Sequence, residues 1–338
     1  MTSARLTSAR AVRVLAVLAV ILVAAIVGSA LIGAVSVDLA RAFRFDADDP
    51  DFVILFRARL PRVFLGAAVG GGLAAAGSAL QALLRNSLAS PDVIGVSGGA
   101  SVGAIVVLGL GFGEGAGSWL AVPFAAFTGS LVAIGVIVRL ATVRARLNPY
   151  SLLLVGVIVN TITSAVILLV SAMVESSRAQ SVLFWLSGSL AQRSWGLVAS
   201  IWLYVVLATL VLWTQSRRLN LLALGEEAVR QLGVDVDVLR RATFVAAAFL
   251  VGAAVSVSGV IGFVGLIVPH ALRLLFGSDQ RLLVPASFLG GAIFLVVADT
   301  AARSLFAPVE IPVGVVTAIC GGPFFIYLLR REQARSIV

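Results

Sequence analysis

The chain has 338 residues, 60% of them hydrophobic, with a mean hydropathy of +1.09 and a formal net charge of +9. So few polar side chains cannot cover a water-facing surface, which excludes a soluble globular fold. All 25 basic residues are Arg, so there is no Walker A Lys to grip a nucleotide, and a single Cys320 and a single His270 exclude an intrachain disulfide, a Cys cluster and HExxH zinc chemistry.

Stretches without Asp, Glu or Arg recur along the chain at 14–37, 63–84, 93–113, 115–138, 147–174 and 194–216. A helix needs roughly 20 apolar residues to cross a bilayer, whose interior penalises unpaired backbone groups. The pattern predicts an all-α polytopic membrane protein with about ten transmembrane helices, near 14–36, 61–84, 93–111, 117–139, 149–173, 195–216, 241–257, 259–274, 282–302 and 311–330. With both termini cytoplasmic, roughly two-thirds of the 25 arginines fall in cytoplasmic segments, as the positive-inside rule requires. The basic balance is therefore a topology signal, and no nucleic-acid partner is expected.

In chain order, Arg5, Arg10 and Arg13 precede an apolar run longer than a signal-peptide core, so a retained first span is expected. The outer loop 38–51 is rich in Asp, and Arg57, Arg59 and Arg62 then cluster around Pro61. The second span carries Gly66, Gly70, Gly71, Gly72 and Gly77, which suits close helix packing in lipid. In the fifth span Asn160, Thr163, Ser164 and Ser171 share one stripe at helical spacing. That stripe either lines a water-filled translocation pathway or bonds to neighbouring helices, and without fixed charge it does not form a proton relay.

The run 179–192 is too short to cross and is broken by Ser187, Gly188 and Ser189, so an outer interfacial or re-entrant piece is expected. Segment 217–240 mixes Leu219, Leu221, Leu222 and Leu224 with Glu226, Glu227 and Arg230, the pattern of a short amphipathic helix at the inner surface or on a partner. Residues 242–272 form one uncharged run with Ser256, Ser258, Gly259, Gly262 and Gly265 at its middle, which predicts a turn and a shortened helix. Asp299, four residues before Arg303, is placed for a local i,i+4 pair. No span centre carries an ionisable residue, which argues against an ion-coupled secondary transporter.

Several segments together resemble one family. They are Arg59-Leu60-Pro61-Arg62, Gln81-Ala82-Leu83-Leu84-Arg85-Asn86, Leu88-Ala89-Ser90-Pro91-Asp92-Val93-Ile94-Gly95, Phe184-Trp185-Leu186-Ser187-Gly188-Ser189-Leu190, and Leu224-Gly225-Glu226-Glu227-Ala228 with Gly233. Gly262-Phe263-Val264-Gly265-Leu266-Ile267-Val268-Pro269-His270, Ala298-Asp299-Thr300-Ala301-Ala302-Arg303, Glu310-Ile311-Pro312-Val313-Gly314 and Gly321-Gly322-Pro323-Phe324-Phe325 complete the set. In this order the chain resembles the FecCD-type (BtuC-like) permeases of bacterial ABC importers for iron-siderophore, haem and cobalamin uptake.

The resemblance implies one permease domain over residues 1–338 in the bacterial cytoplasmic membrane. It implies pairing with a second permease subunit, identical or homologous, and with two cytoplasmic ATPase subunits that hold the ATP and Mg. This chain would bind no cofactor and be no enzyme. A periplasmic or lipid-anchored binding protein would deliver the chelate. By the same resemblance Arg59, Arg62 and Arg303 would receive acidic residues of that protein, or else anchor span ends. Leu224, Gly225, Glu226, Glu227, Ala228 and Gly233 would couple to the ATPase, with Val229 departing from the family's EAA…G pattern. The inner gate of relatives lies near 147–151, where Asn148-Pro149 is not a distinctive match.

Overall fold

The computed structural model describes residues 7–33, 35–111, 118–144, 146–191 and 194–336. Ten apolar helices dominate it: α1 (Ser8–Leu31), α2 (Leu60–Leu83), α3 (Val96–Gly109), α4 (Ser118–Ala141), α5 (Pro149–Met173), α6 (Trp195–Thr214), α7 (Val236–Ser258), α8 (Val264–Phe276), α9 (Gln280–Ser304) and α10 (Val313–Ser336). Seven helical stretches among the described residues are long and apolar enough to cross a membrane, while α3, α8 and the apolar part of α10 are shorter. The chain is an all-α, multi-pass membrane protein. Its bundle ends are called outer, where Arg59 and Arg303 lie, and inner, where Glu226 lies, after the arginine asymmetry.

Local chemistry sets the helix starts. Thr7, Asn148, Ser194, Asp235 and Asp279 each turn a side-chain oxygen onto a backbone N–H of the turn that follows, which satisfies donors a helix N-terminus leaves orphaned. Asp235 moves the start of α7 to Val236, ahead of the expected 241, and carries Arg240 and Arg241 into the helix. At the other extreme α1 stops at Leu31, short of the expected 36. The expected start of the fourth span at residue 117 lies outside the described residues.

Helix α2 is the axis of the bundle and is buried over nearly its whole length. Its glycines make that possible. A Cβ on Gly70 would meet the Gly291 carbonyl of α9, a Cβ on Gly291 would meet the Gly70 carbonyl, and one on Gly77 would meet Gly265 of α8. In lipid there is no hydrophobic drive between helices, so backbone-to-backbone approach of this kind supplies the packing energy. By contrast α1, α5 and α6 leave large apolar side chains outward, such as Leu154, Leu168 and Leu203. Those faces require lipid or another subunit.

At about 1.5 Å per residue, the 14 residues of α3 and 13 of α8 fall short of a hydrocarbon core of about 30 Å. Their missing length is irregular backbone sheltered inside protein. Helix α7 ends at Gly259 (φ 68°), and α8 starts after Phe263 (φ 67°), within the Ser/Gly cluster of the 242–272 run. The expected second segment, 259–274, therefore begins as a turn. After a helix at Ser176–Leu186, the chain turns inward against this break: Ser189 N–H donates to the Ser258 carbonyl at 2.7 Å, and Gly188 (φ 74°) lies against the Val260 carbonyl. Gln192, the end of that expected piece, lies outside the described residues.

Candidate functional site

At the outer end, the chain from Pro50 runs through a π-helical turn, Val53–Arg59, into α2. Pro61 lacks the N–H an α-helix would use here, and Leu60 N–H reaches back to the Leu55 carbonyl. The wider turn aims Arg59 and Arg62 at different partners. Arg62 clasps Asp299 of α9, with Nε–Oδ2 at 2.9 Å and Nη2–Oδ1 at 3.0 Å, while its Nη1 donates to Glu310 Oε2 at 2.8 Å. Arg303 stands 3.7 Å from Asp299 and donates to the Ser29 carbonyl and hydroxyl; that hydroxyl also lies 2.6 Å from Thr300 Oγ1. Arg59 donates to the carbonyls of Ala30, Leu31 and Val35. It thus caps the C-terminus of α1, where the last carbonyls lack partners and the helix dipole favours a cation.

All three arginines are engaged within the chain, and Arg59 anchors the end of a span, one of the two alternatives read from the sequence. Arg59 and Arg303 are each only 6% exposed and Arg62's side chain 12%, whereas Glu310 is 56% exposed. The i,i+4 pair of Asp299 with Arg303 forms at 3.7 Å, and Arg62, far away in sequence, holds the same carboxylate more closely. Arg57, Arg59, Arg62, Arg303 and Glu310 line one outer cavity of about 710 Å³. Long-range pairing of this kind is invisible to spacing rules. The sequence marks Glu310 only as the first residue of the 310–314 segment behind the family resemblance, with no role attached.

In the middle of the bundle the polar stripe of α5 divides. Asn160 Nδ2 donates to the Asp92 carbonyl at 2.9 Å, and Asn160 and Thr163 pack on Gly98 of α3. Ser164 is exposed and Ser171 half-buried. Asp92 was not anticipated. Its carboxylate accepts from Ser90 Oγ at 3.0 Å and Phe263 N–H at 3.3 Å, so an acid does sit at the level of Asn160, midway along α5. Asp92 belongs to the Pro91–Ile94 turn ahead of α3, so among the described residues the span centres still carry no acid while the interior of the bundle does. The signal was present: a lone charge between Pro91 and Gly95 in a linker too short to leave the bundle. At the start of α5, Asn148 caps the Tyr150 and Ser151 N–H groups and leaves Tyr150 84% exposed.

At the inner end, segment 217–240 forms two short helices, Ser216–Leu222 and Glu226–Gln231, rather than one amphipathic helix. Gly225, at φ 104°, separates them. Leu219, Leu222 and Val229 are buried, and they hold the element down while Leu224 and Glu227 face out. The non-Ala residue Val229 is thus an anchor. Arg240 pairs with Glu226. Gly233 (φ 77°) closes the second helix as a Schellman turn, with Gly233 N–H on the Arg230 carbonyl and Val234 N–H on the Val229 carbonyl. That geometry is the physical reason for a glycine at this spacing.

A polar chain that sequence reasoning missed runs from this element to the axis of the bundle. Asn220 donates to Asp279 Oδ1 at 2.8 Å and accepts from Gln280 N–H at 2.8 Å. Gln280 accepts from Ser78 of α2 at 3.0 Å, and Gln81, one turn along α2, reaches the Gly265 and Leu266 carbonyls and Arg273. The Arg281 guanidinium holds the Asp279 carboxyl below its ordinary range; burial opposes this, and Asn220 assists it. The Ser216–Leu222 helix is thereby hydrogen-bonded to the start of α9 and, through Gln280, to α2.

A family model described as the FecCD transport family matches residues 18–331. The chain is 41% identical over 305 residues to the cobalamin import system permease protein BtuC of Halobacterium salinarum, covering 90% of this chain and 80% of that protein. It is 40% identical over 309 residues to the hemin transport system permease protein HmuU of Yersinia pestis, covering 90% and 91%. A solved structure described as an inward-facing metal-chelate type ABC transporter superposes with a TM-score of 0.83 at 31% identity, over 95% of this chain and 99% of that one. With a match of this extent and a multi-pass fold, the chain belongs to the FecCD transport family as a permease subunit.

Proposed function

We propose that residues 1–338 act as one permease domain of an ABC importer in the bacterial cytoplasmic membrane, with both termini cytoplasmic, carrying an iron-siderophore chelate inward. In this reading the chain pairs with a second permease subunit and two ATPase subunits that hold ATP and Mg, and a periplasmic or lipid-anchored protein delivers the chelate. The observation that carries it is the inner element: exposed Leu224 and Glu227 on a segment anchored by Val229 and linked through Asn220, Gln280 and Ser78 to α2. A chain without Lys that presents such a lever suits a subunit driven by another's nucleotide. The face of α5 bearing Ser164 and Ser171 serves as the pathway wall, and Arg62 and Arg303 serve the docking of the delivering protein.

A second cargo, haem or cobalamin, is favoured by the names of two relatives. Proteoliposomes holding the permease, its cognate ATPase and binding protein, offered labelled ferric siderophore, haem and cobalamin in turn, separate the readings. Accumulation of the siderophore alone supports the first, and accumulation of haem or cobalamin without it replaces the first by the second. Glu227→Arg is expected to abolish uptake while leaving the chain membrane-inserted and monodisperse; normal uptake by that variant would remove the inner element from coupling.

A further inference from the structure

The inner halves of α4 and α7 leave a cleft of about 570 Å³ between them. Its two walls change polarity in the same direction. On α4, Gly135 and Val138 lie deeper and Arg139 lies one turn toward the inner end, with Thr142 beyond it; on α7, Arg241 comes first and Val245 lies one turn deeper. The mouth is therefore cationic and the floor apolar. Gly135 keeps the floor open, since a Cβ there would meet no atom within 4 Å. Arg139 and Arg241 are both exposed, and Arg139 has no ion-pair partner among the described residues. The nearby acids are engaged elsewhere: Glu226 by Arg240, and Asp237 by Arg146 at 3.7 Å and Arg230 at 4.0 Å.

We propose that this cleft binds one anionic phospholipid of the inner leaflet, with its phosphate on Arg139 and Arg241 and an acyl chain along Gly135, Val138 and Val245. Two guanidiniums at the mouth match a phosphate charge and hydrogen-bonding geometry. Basic pockets between membrane helices on this side are suited to anionic headgroups. The apolar floor distinguishes a lipid from free phosphate, which has nothing to place there, and from an acidic protein segment, which could not enter the hydrocarbon layer without unpaired backbone. The occupant would bridge α4 to α7 directly beside the Asp235 cap and the Glu226–Gln231 helix.

The test is native mass spectrometry of the full chain in detergent, titrated with dioleoyl phosphatidylglycerol or dioleoyl phosphatidylcholine. The wild type is expected to retain one phosphatidylglycerol, and Arg139→Gln with Arg241→Gln is expected to weaken that retention by roughly tenfold or more. Arg10→Gln with Arg13→Gln removes the same charge from the inner end of α1, away from the cleft, and should leave retention unchanged. Gly135→Leu keeps both charges, fills open space, and should also displace the lipid. Equal retention by the cleft double variant and the wild type, equal loss in the α1 pair, or full retention by Gly135→Leu would each overturn the site. Displacement of phosphatidylglycerol by millimolar inorganic phosphate, but not by chloride at the same ionic strength, would overturn the lipid as its occupant.

Discussion

Glu310 Oε2 accepts from Arg62 Nη1 at 2.8 Å, and of the two residues it is Glu310 that faces solvent. An internal acid thus occupies the guanidinium edge that the proposed docking of an acidic partner would use. Glu310→Gln should raise the association rate of the cognate binding protein by roughly 1.5- to 5-fold, the range an exposed pair of about 0.2–1 kcal/mol implies. Stopped-flow association at low and high salt reads this. A slower rate would mean that Glu310 itself receives the partner.

Asp299 holds Arg62 and faces Arg303, and all three side chains are largely buried. Asp299→Ala would leave two buried cations short of their shared acid and should cost about 3–5 kcal/mol of stability. Arg62→Met with Asp299→Leu should cost less than Asp299→Ala alone. Thermal unfolding of the wild type and both variants in detergent checks the order.

Gly233 adopts φ 77° in its Schellman turn, a conformation that costs a side-chain-bearing residue about 1–2 kcal/mol. Gly233→Ala should loosen the Glu226–Gln231 helix and reduce the substrate moved per ATP, whereas Gly233→Asn, which tolerates this region, should retain more of it. Coupling ratios in proteoliposomes measure the difference.

Asp279 has its carboxyl held below the ordinary value by Arg281. A depressed carboxylate contributes stability that is complete above its unfolded value of about 3.9 and is lost as pH falls toward the folded value. Unfolding curves between pH 7 and pH 3 should therefore show an acid loss in the wild type that is smaller in Asp279→Asn. Asp279→Ala, which also removes the α9 cap, should cost about 1 kcal/mol at neutral pH.

The helices were legible because hydrocarbon imposes a length and a purity on each one, and the break near Gly259 was legible because Ser and Gly interrupt a run too long for one span. Bounds failed where a single side chain decides them: Asp235 extends α7, and Arg59 ends α1 from a distance in sequence. The same limit applies to the sites. Residue type and order marked Arg62, Arg303 and Gly233, but burial arises from tertiary packing, so the sequence does not reveal that Arg59, Arg62 and Arg303 lie inside. Asn220 and Gln280 escaped notice because each is ordinary alone and acquires meaning only from a partner about 60 positions away, whereas Asp92 stood out as a lone charge that the span assignment left unread.

In the proposed mechanism this chain opens a path only when a separate ATPase works against its inner element. The direct measurement is uptake into proteoliposomes carrying the permease with its binding protein, with and without the cognate ATPase, with ATP or a proton gradient as the driving force. Accumulation is expected only where ATPase and ATP are both present; accumulation driven by the proton gradient in vesicles lacking the ATPase would rule the mechanism out.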